Sequence, residues 1–179
     1  MVFVVVGLVL VGALGLLNLA LSIAIVRRLR RQEEQRRAIA PDASSGPEVG
    51  TAVPAFTAPT LGGKVFASAS LAGGTAALSF ITTSCGACDE FVSEMPQFAA
   101  KTGLDDSRIV VVIAGEQGKA RQMADHLDGL ATVVYEAAPG DISSLYSITA
   151  TPTTVITDAH QNVTATHTGT KPHLQELPA

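Results

Sequence analysis

A chain of 179 residues has room for one ordinary domain and an appendage, and with 47% hydrophobic against 16% charged residues it is no disordered polyelectrolyte. A net charge of −4 lacks the basic footprint of a nucleic-acid binder, and 4% aromatic residues without tryptophan argue against a stacking platform for bases. Two cysteines, three positions apart, are too few for a disulfide scaffold and cannot alone complete a four-ligand structural zinc site.

Val2 to Val26 is apolar apart from Asn18 and Ser22. A helix needs about 20 such residues to cross a bilayer, so residues 1–26 are expected to form a transmembrane anchor with lipid as a partner. A cleaved signal peptide would open with basic residues and carry an apolar core of only about 7–15 residues. Here Met1 leads at once into apolar residues, and the small-residue pattern Ala38-Ile39-Ala40 lies far downstream, before Pro41. The expectation is a retained, single-pass anchor in the cell membrane. Arg27, Arg28, Arg30, Arg31, Arg36 and Arg37 hold half of the 12 basic residues. Such a cluster after the helix favours a cytoplasmic position for the soluble domain, and Glu33 and Glu34 count little against it. Residues 27–48 read as a basic juxtamembrane segment running into a Pro/Ser/Gly linker, and the folded domain is expected over 49–179.

Within that domain, Leu61-Gly62-Gly63-Lys64-Val65 predicts the turn of a β-hairpin between residues 56 and 71, and Gly73-Gly74 ends it. Ala76 to Thr82 (AALSFIT) reads as a buried strand. From Cys85 to Lys101, Phe91, Met95 and Phe98 recur at helical spacing, with Pro96 inside. Arg108 to Ala114 is a continuous, β-branched run of the kind found in the middle of a parallel sheet. Lys119 to Leu130 carries Ala120, Met123, Ala124 and Leu127 at helical spacing. Thr132 to Tyr135 is a short strand, and Asp141 to Ile148 a short helix with Asp141 as its N-cap. Thr153 to Thr157 and Val163 to Thr168 are the antiparallel strands of a hairpin. Strands alternating with helices and closing in a hairpin predict an α/β fold: one mixed central sheet flanked by helices.

Ser84-Cys85-Gly86-Ala87-Cys88 falls where a strand ends and a helix begins. The first helical N–H groups lack intrahelical partners and carry partial positive charge, which favours a thiolate at Cys85. Cys88 follows almost one turn later, close enough to form a disulfide with Cys85, and an accessible pair of this kind cycles readily. That pattern predicts Cys85 as the attacking sulfur and Cys88 as the resolving one. It also implies a protein disulfide as substrate and a second redox partner. No cofactor and no metal are expected, because His126, His160, His167 and His173 lack ligand spacing from the pair. Thr151-Pro152-Thr153 precedes a strand, where proline is commonly tolerated. A sharper reading makes Pro152 a cis proline facing the cysteines, with the backbone of Thr151 free to pair with an extended substrate segment. Thr151 and Pro152 are therefore the candidate substrate-binding residues.

The run from Val49 to Thr168 resembles the thioredoxin superfamily, in particular the membrane-anchored TlpA/ResA type and the MauD-type maturation proteins. The likeness rests on Val49-Gly50 with Pro54 and Phe56, on Leu61-Gly62-Gly63, on Ser84 to Cys88, on Glu94-Met95-Pro96 and on Ala150 to Asp158, in that order. It implies a thioredoxin fold, a thiol-disulfide oxidoreductase, Cys85 as nucleophile, Cys88 as resolver and Pro152 as the cis proline. It also implies a catalytic domain outside the cytoplasm, opposite to the side the arginines favour. The extracytoplasmic placement is the expectation adopted, with maturation of an exported protein as the expected role. The chain departs from the pattern at Ser84, where many relatives carry an aromatic residue, and at Ser79, where thioredoxin keeps a buried aspartate. Its tail from Lys171 is short for a closing helix.

Two other functions suit the same cysteines. Thr82 stands three residues before Cys85, similar to the arrangement in peroxiredoxin-like peroxidases. A pair of thiolates also suits Cu(I), as in a non-catalytic metallochaperone or assembly scaffold.

Overall fold

The computed structural model describes residues 45–171 except Pro139, together with Gly7 and Gly12, which are helical. The rest of the expected anchor, the arginine segment and the tail beyond Lys171 lie outside the described residues. Among the described residues no helix is long and apolar enough to cross a membrane.

The Gly62-Gly63 turn closes the expected hairpin: β1 (Thr57–Pro59) pairs antiparallel with β2 (Val65–Ala67). Gly63 sits at φ 81, a conformation that a side chain would penalise. A 3-10 turn (Ser68–Leu71) then leads into β3 (Ala76–Thr82). The remaining elements are α1 (Gly86–Thr102), β4 (Ile109–Ala114), α2 (Gln117–Asp125), β5 (Thr132–Glu136), α3 (Asp141–Leu145), β6 (Thr153–Thr157) and β7 (Val163–Thr168).

Strands β3 to β7 form one sheet in the order β5-β4-β3-β6-β7. β3 is central, parallel to β4 and antiparallel to β6, with Ser79 opposite both Val111 and Thr154. Parallel neighbours require crossover connections, which α1 and α2 supply between β3, β4 and β5. The continuous apolar runs in β3 and β4 have a physical cause: both faces of the sheet are covered. Ala77, Ile81, Val111 and Ile113 pack with Phe91, Met95 and Phe98 of α1 and with Met123 of α2. Leu78, Phe80, Val110 and Val112 point to the other face and pack with Phe66, Leu71, Ile142 and Tyr146. The period-2 alternation of side chains thus splits one hydrophobic strand into two cores.

Most element ends fall within two residues of the sequence reading, and three differences are larger or change a residue's role. The second long helix ends at Asp125 instead of running to Leu130, and Gly129 at φ 69 belongs to the turn after it. α3 stops at Leu145, before Ser147 at φ 56, and its N-cap is Gly140, with Asp141 already inside the helix. Capping comes from further back. The buried carboxylate of Glu136 accepts the N–H of Ile142 at 2.7 Å and of Ser143 at 3.2 Å, and also the Ser143 hydroxyl. A carboxylate at a helix start satisfies otherwise unpaired N–H groups and suits the local dipole. The third difference is at the front of the domain. The folded unit reaches back to Ser45, inside the stretch read as linker, where Ser45 is buried and the Gly46 N–H donates to Ser147 O at 3.1 Å. Gly46 lies at φ 109, and a Cβ there would stand 2.9 Å from the Thr166 methyl group, so only glycine fits that crossing.

Candidate active site

The parallel strands β3 and β4 end side by side, and the connections leaving them build the site. Cys85 is the N-cap of α1, in extended conformation at φ −107 and ψ 112, and its carbonyl accepts the Cys88 N–H at 3.0 Å. The short link between β3 and α1 is fastened to the end of β4. Thr83 N–H donates to Ala114 O at 3.0 Å, and Thr83 Oγ1 accepts the Glu116 N–H at 2.9 Å. Gly115 lets the two chains approach: a Cβ there would fall 2.2 Å from Thr83 Oγ1.

Across from this turn comes the segment before β6. The Thr151–Pro152 peptide bond is cis, as the sharper sequence reading expects. Cys85 Sγ donates to Thr151 O at 3.4 Å, and Thr82 Oγ1 lies 3.4 Å from Thr151 Oγ1. The fold therefore brings Cys85, Cys88 and Thr151 together with Pro152 beside them. Cys85 is half-buried and Cys88 fully buried, and both are free thiols. The hydroxyl of Thr82, on which the peroxidase alternative rests, has Thr151 Oγ1 as its partner.

The two sulfurs sit in different surroundings. Burial pushes the Cys88 thiol up to about 12, and its contact with the Cys85 side chain adds to the rise. This shift has a consequence for stability. Below the free-thiol value of 9.0, folded and unfolded chains both keep the Cys88 proton. Between 9.0 and about 12 the unfolded chain releases it while the folded chain holds it, so stability falls as pH rises. Denaturant melts of the reduced protein at increasing pH are expected to show this loss, and Cys88→Ala to flatten it. A smaller decline above the free-phenol value of 10.0 persists in both proteins, because burial also raises Tyr146. Equal slopes in wild type and variant across that range would contradict the assignment.

Ser79, where the resemblance leads one to expect an aspartate, lies on the face of β3 that α1 covers. Its hydroxyl lies 2.9 Å from Thr154 Oγ1, and both residues are buried. An uncharged hydroxyl pair satisfies itself inside the sheet, where an isolated carboxylate would be costly. Of the histidines, His126 ends α2 and its Nδ1 lies 2.8 Å from Gln122 O. It rims a groove of about 420 Å³ between α1 and α2, lined also by Thr83, Asp89, Val92 and Met123. His160 lies in the β6–β7 turn, His167 on β7 opposite Thr154, and His173 outside the described residues. Among the described residues no three His, Cys, Asp or Glu side chains converge as a metal site.

Sequence reasoning missed the partners that hold the site: Thr154 under Ser79, Glu136 capping α3, and Ser45 against the loop before Pro152. Thr154 and Ser45 act across 75 and 105 positions and carry no local signal, whereas Glu136 stands only six residues before Ile142 and was passed over in favour of Asp141.

Comparison with known proteins agrees with this geometry. The chain is 28% identical to a secreted Mycobacterium tuberculosis disulfide oxidoreductase described as homologous to E. coli DsbE, with a TM-score of 0.52 over 61% of this chain and 80% of that one. It is 25% identical to a Chlorobium tepidum protein assigned as the thiol:disulfide interchange protein DsbE, with a TM-score of 0.54 over 70% of this chain and 88% of that one. The thioredoxin domain of a Bacteroides vulgatus thiol-disulfide oxidoreductase shares the fold at 16% identity, with a TM-score of 0.58 over 69% of this chain and 90% of that one. No curated protein matches the chain. The Redoxin family model covers residues 48–178, most of the chain, and the protein therefore belongs to the Redoxin family, built on a thioredoxin-like fold.

Proposed function

We propose that this protein is a membrane-tethered thiol-disulfide oxidoreductase that exchanges electrons with protein disulfides through Cys85 and Cys88. Membership of the Redoxin family and the likeness to DsbE-type oxidoreductases support the enzyme class. The observation that carries the assignment of residues is the contact of Cys85 Sγ with Thr151 O at the start of α1, beside the buried Cys88.

The chemistry rests on the unequal exposure of the sulfurs. Cys85 thiolate attacks one sulfur of a partner disulfide; a new S–S bond forms, the old one breaks, and the leaving thiolate takes a proton. Cys88, which substrate cannot reach, loses its proton and attacks Cys85 Sγ. The mixed disulfide breaks, the partner leaves as a dithiol, and Cys85–Cys88 is oxidised by two electrons. The reverse sequence oxidises a partner, and relative reduction potentials set the direction. When Cys85 is bonded to substrate it no longer donates to Thr151 O, so that carbonyl becomes available to a backbone N–H of the bound segment.

The same proposal assigns residues 1–26 to the bilayer and residues 27–44 to a tether, and places the domain outside the cytoplasm, where it would mature an exported protein. The long apolar segment and the TlpA-type resemblance support it. The arginine cluster favours the opposite orientation. Protease digestion of intact cells tests the placement, and a protected domain would reverse it.

The catalytic assignment is tested by insulin reduction and by reoxidation of a scrambled protein with the full chain. Cys85→Ser is expected to abolish both. Turnover by that variant at the wild-type rate would remove Cys85 from the reaction. Peroxide consumption that survives Cys88→Ser would favour the peroxidase, and stoichiometric copper in the reduced protein the metallochaperone.

A further inference from the structure

The segment that leads into the domain is fastened to the loop that faces Cys85. Ser45 is only 4% exposed, and its Oγ accepts two successive backbone N–H groups, from Thr149 and Ala150, each at 3.0 Å. Its own hydrogen is donated to Ala150 O at 3.1 Å. Ala150 is thus held by both its N–H and its carbonyl through one side chain 105 residues earlier in sequence. Thr153 reinforces the grip: its Oγ1 lies 2.8 Å from Ala150 O, to which it donates, and 3.1 Å from Ser45 Oγ.

Between those two anchored positions lie Thr151 and Pro152. Thr149 and Ala150 are themselves exposed residues in the connection between α3 and β6, with no helix or strand to take their N–H groups. Backbone donors turned inward need an acceptor, and Ser45 provides it. The adjoining strap holds the arrangement in place: Gly46 N–H donates to Ser147 O at 3.1 Å, and Thr166 Oγ1 donates to Pro47 O at 3.1 Å.

We propose that Ser45 is a positioning residue for substrate recognition: by clamping Ala150 it sets the Thr151 backbone at the place and angle where an extended substrate segment pairs beside Cys85. The inference rests on the oxidoreductase reading above. It reaches further, in that the N-terminal strap, and not only the loop itself, decides how well a protein disulfide docks. A small disulfide reagent needs only the Cys85 sulfur and is indifferent to the clamp.

The test uses full-chain Ser45→Ala with Ser68→Ala as a matched control. Ser68 is also buried and also accepts a backbone N–H, from Phe56 at 2.9 Å, but within the hairpin region. Ser45→Ala is expected to raise KM for a protein disulfide by about fivefold to tenfold, as one lost buried hydrogen-bond anchor would. Its kcat and its rate with a small aromatic disulfide should stay near wild type, and Ser68→Ala should change neither parameter. An unchanged KM in Ser45→Ala, or equal KM changes in both variants, would overturn the clamp. If Ser45→Ala fails to fold, amide exchange in the wild type decides: protected N–H groups at Thr149 and Ala150 are required, and fast exchange refutes the proposal. Failure of the enzyme reading is distinguishable, because it would show as a wild type that turns over neither the protein disulfide nor the small reagent, whereas failure of the clamp leaves both turned over.

Discussion

Replacing Cys88 by serine is expected to turn a multiple-turnover catalyst into a covalent trap. Incubated with a protein disulfide, the reduced variant should accumulate as a mixed disulfide through Cys85 and release no dithiol product. The reason is geometric. Cys88 is fully buried within the first turn of α1, so in the proposed mechanism it meets no substrate sulfur directly and acts only on the sulfur of its neighbour. A serine hydroxyl fits the space but does not displace a thiolate from a disulfide. Capture through the half-exposed Cys85 remains, and release is lost. Intact mass measurement without reductant reads the adduct, and Cys85→Ser should form none. Steady turnover by Cys88→Ser at the wild-type rate, or an adduct formed by Cys85→Ser, would contradict the division of labour.

The second large effect is on the fold that holds the site. Phe80 is completely buried on β3, with its ring centroid 5.0 Å from that of Tyr146. Tyr146 in turn packs edge-on against Phe56 at 5.9 Å and donates its hydroxyl to Pro54 O at 3.0 Å. Phe80→Ala removes the fully buried ring at the sheet end of this cluster and leaves a cavity that close-packed neighbours fill only in part. The expected loss is about 3–5 kcal/mol, a large share of the roughly 5–15 kcal/mol that stabilises an ordinary domain. At this domain size the thermal midpoint should fall by roughly 10–20 °C. Val65→Ala is the comparison, because Val65 is 76% exposed and a surface change of that kind costs within about 0.5 kcal/mol. Similar midpoints for the two variants would show that the Phe80 cluster does not stabilise the domain as its burial implies.

Much of the architecture was legible because its signals are local. Ala76 to Thr82 reads as a buried strand from seven residues with little polarity, and β3 has those bounds. The Gly62-Gly63 turn announces the hairpin, and the apolar spacing of Phe91, Met95 and Phe98 announces the buried face of α1. Helix ends were less legible. Leu127 continues the helical spacing of α2 and is buried, yet the chain has already left the helix after Asp125, because one apolar residue can reach the core from a turn as well. Asp141 has the chemistry of an N-cap, but the buried Glu136 carboxylate reaches those N–H groups first.

The order of residues alone determined the alternation of strands and helices, the placement of two cysteines at a strand-to-helix junction, and a proline ahead of the penultimate strand. Each is a property of neighbours along the chain, where side-chain period and backbone preference act directly. Only the folded sheet decided that Cys85 meets Thr151, that Ser79 pairs with Thr154 in place of a carboxylate, and that Ser45 clamps Ala150. Those partners are 66, 75 and 105 positions apart. They meet because β6 inserts beside β3 and brings the distant loop with it, an arrangement of strands that no local pattern of residues encodes.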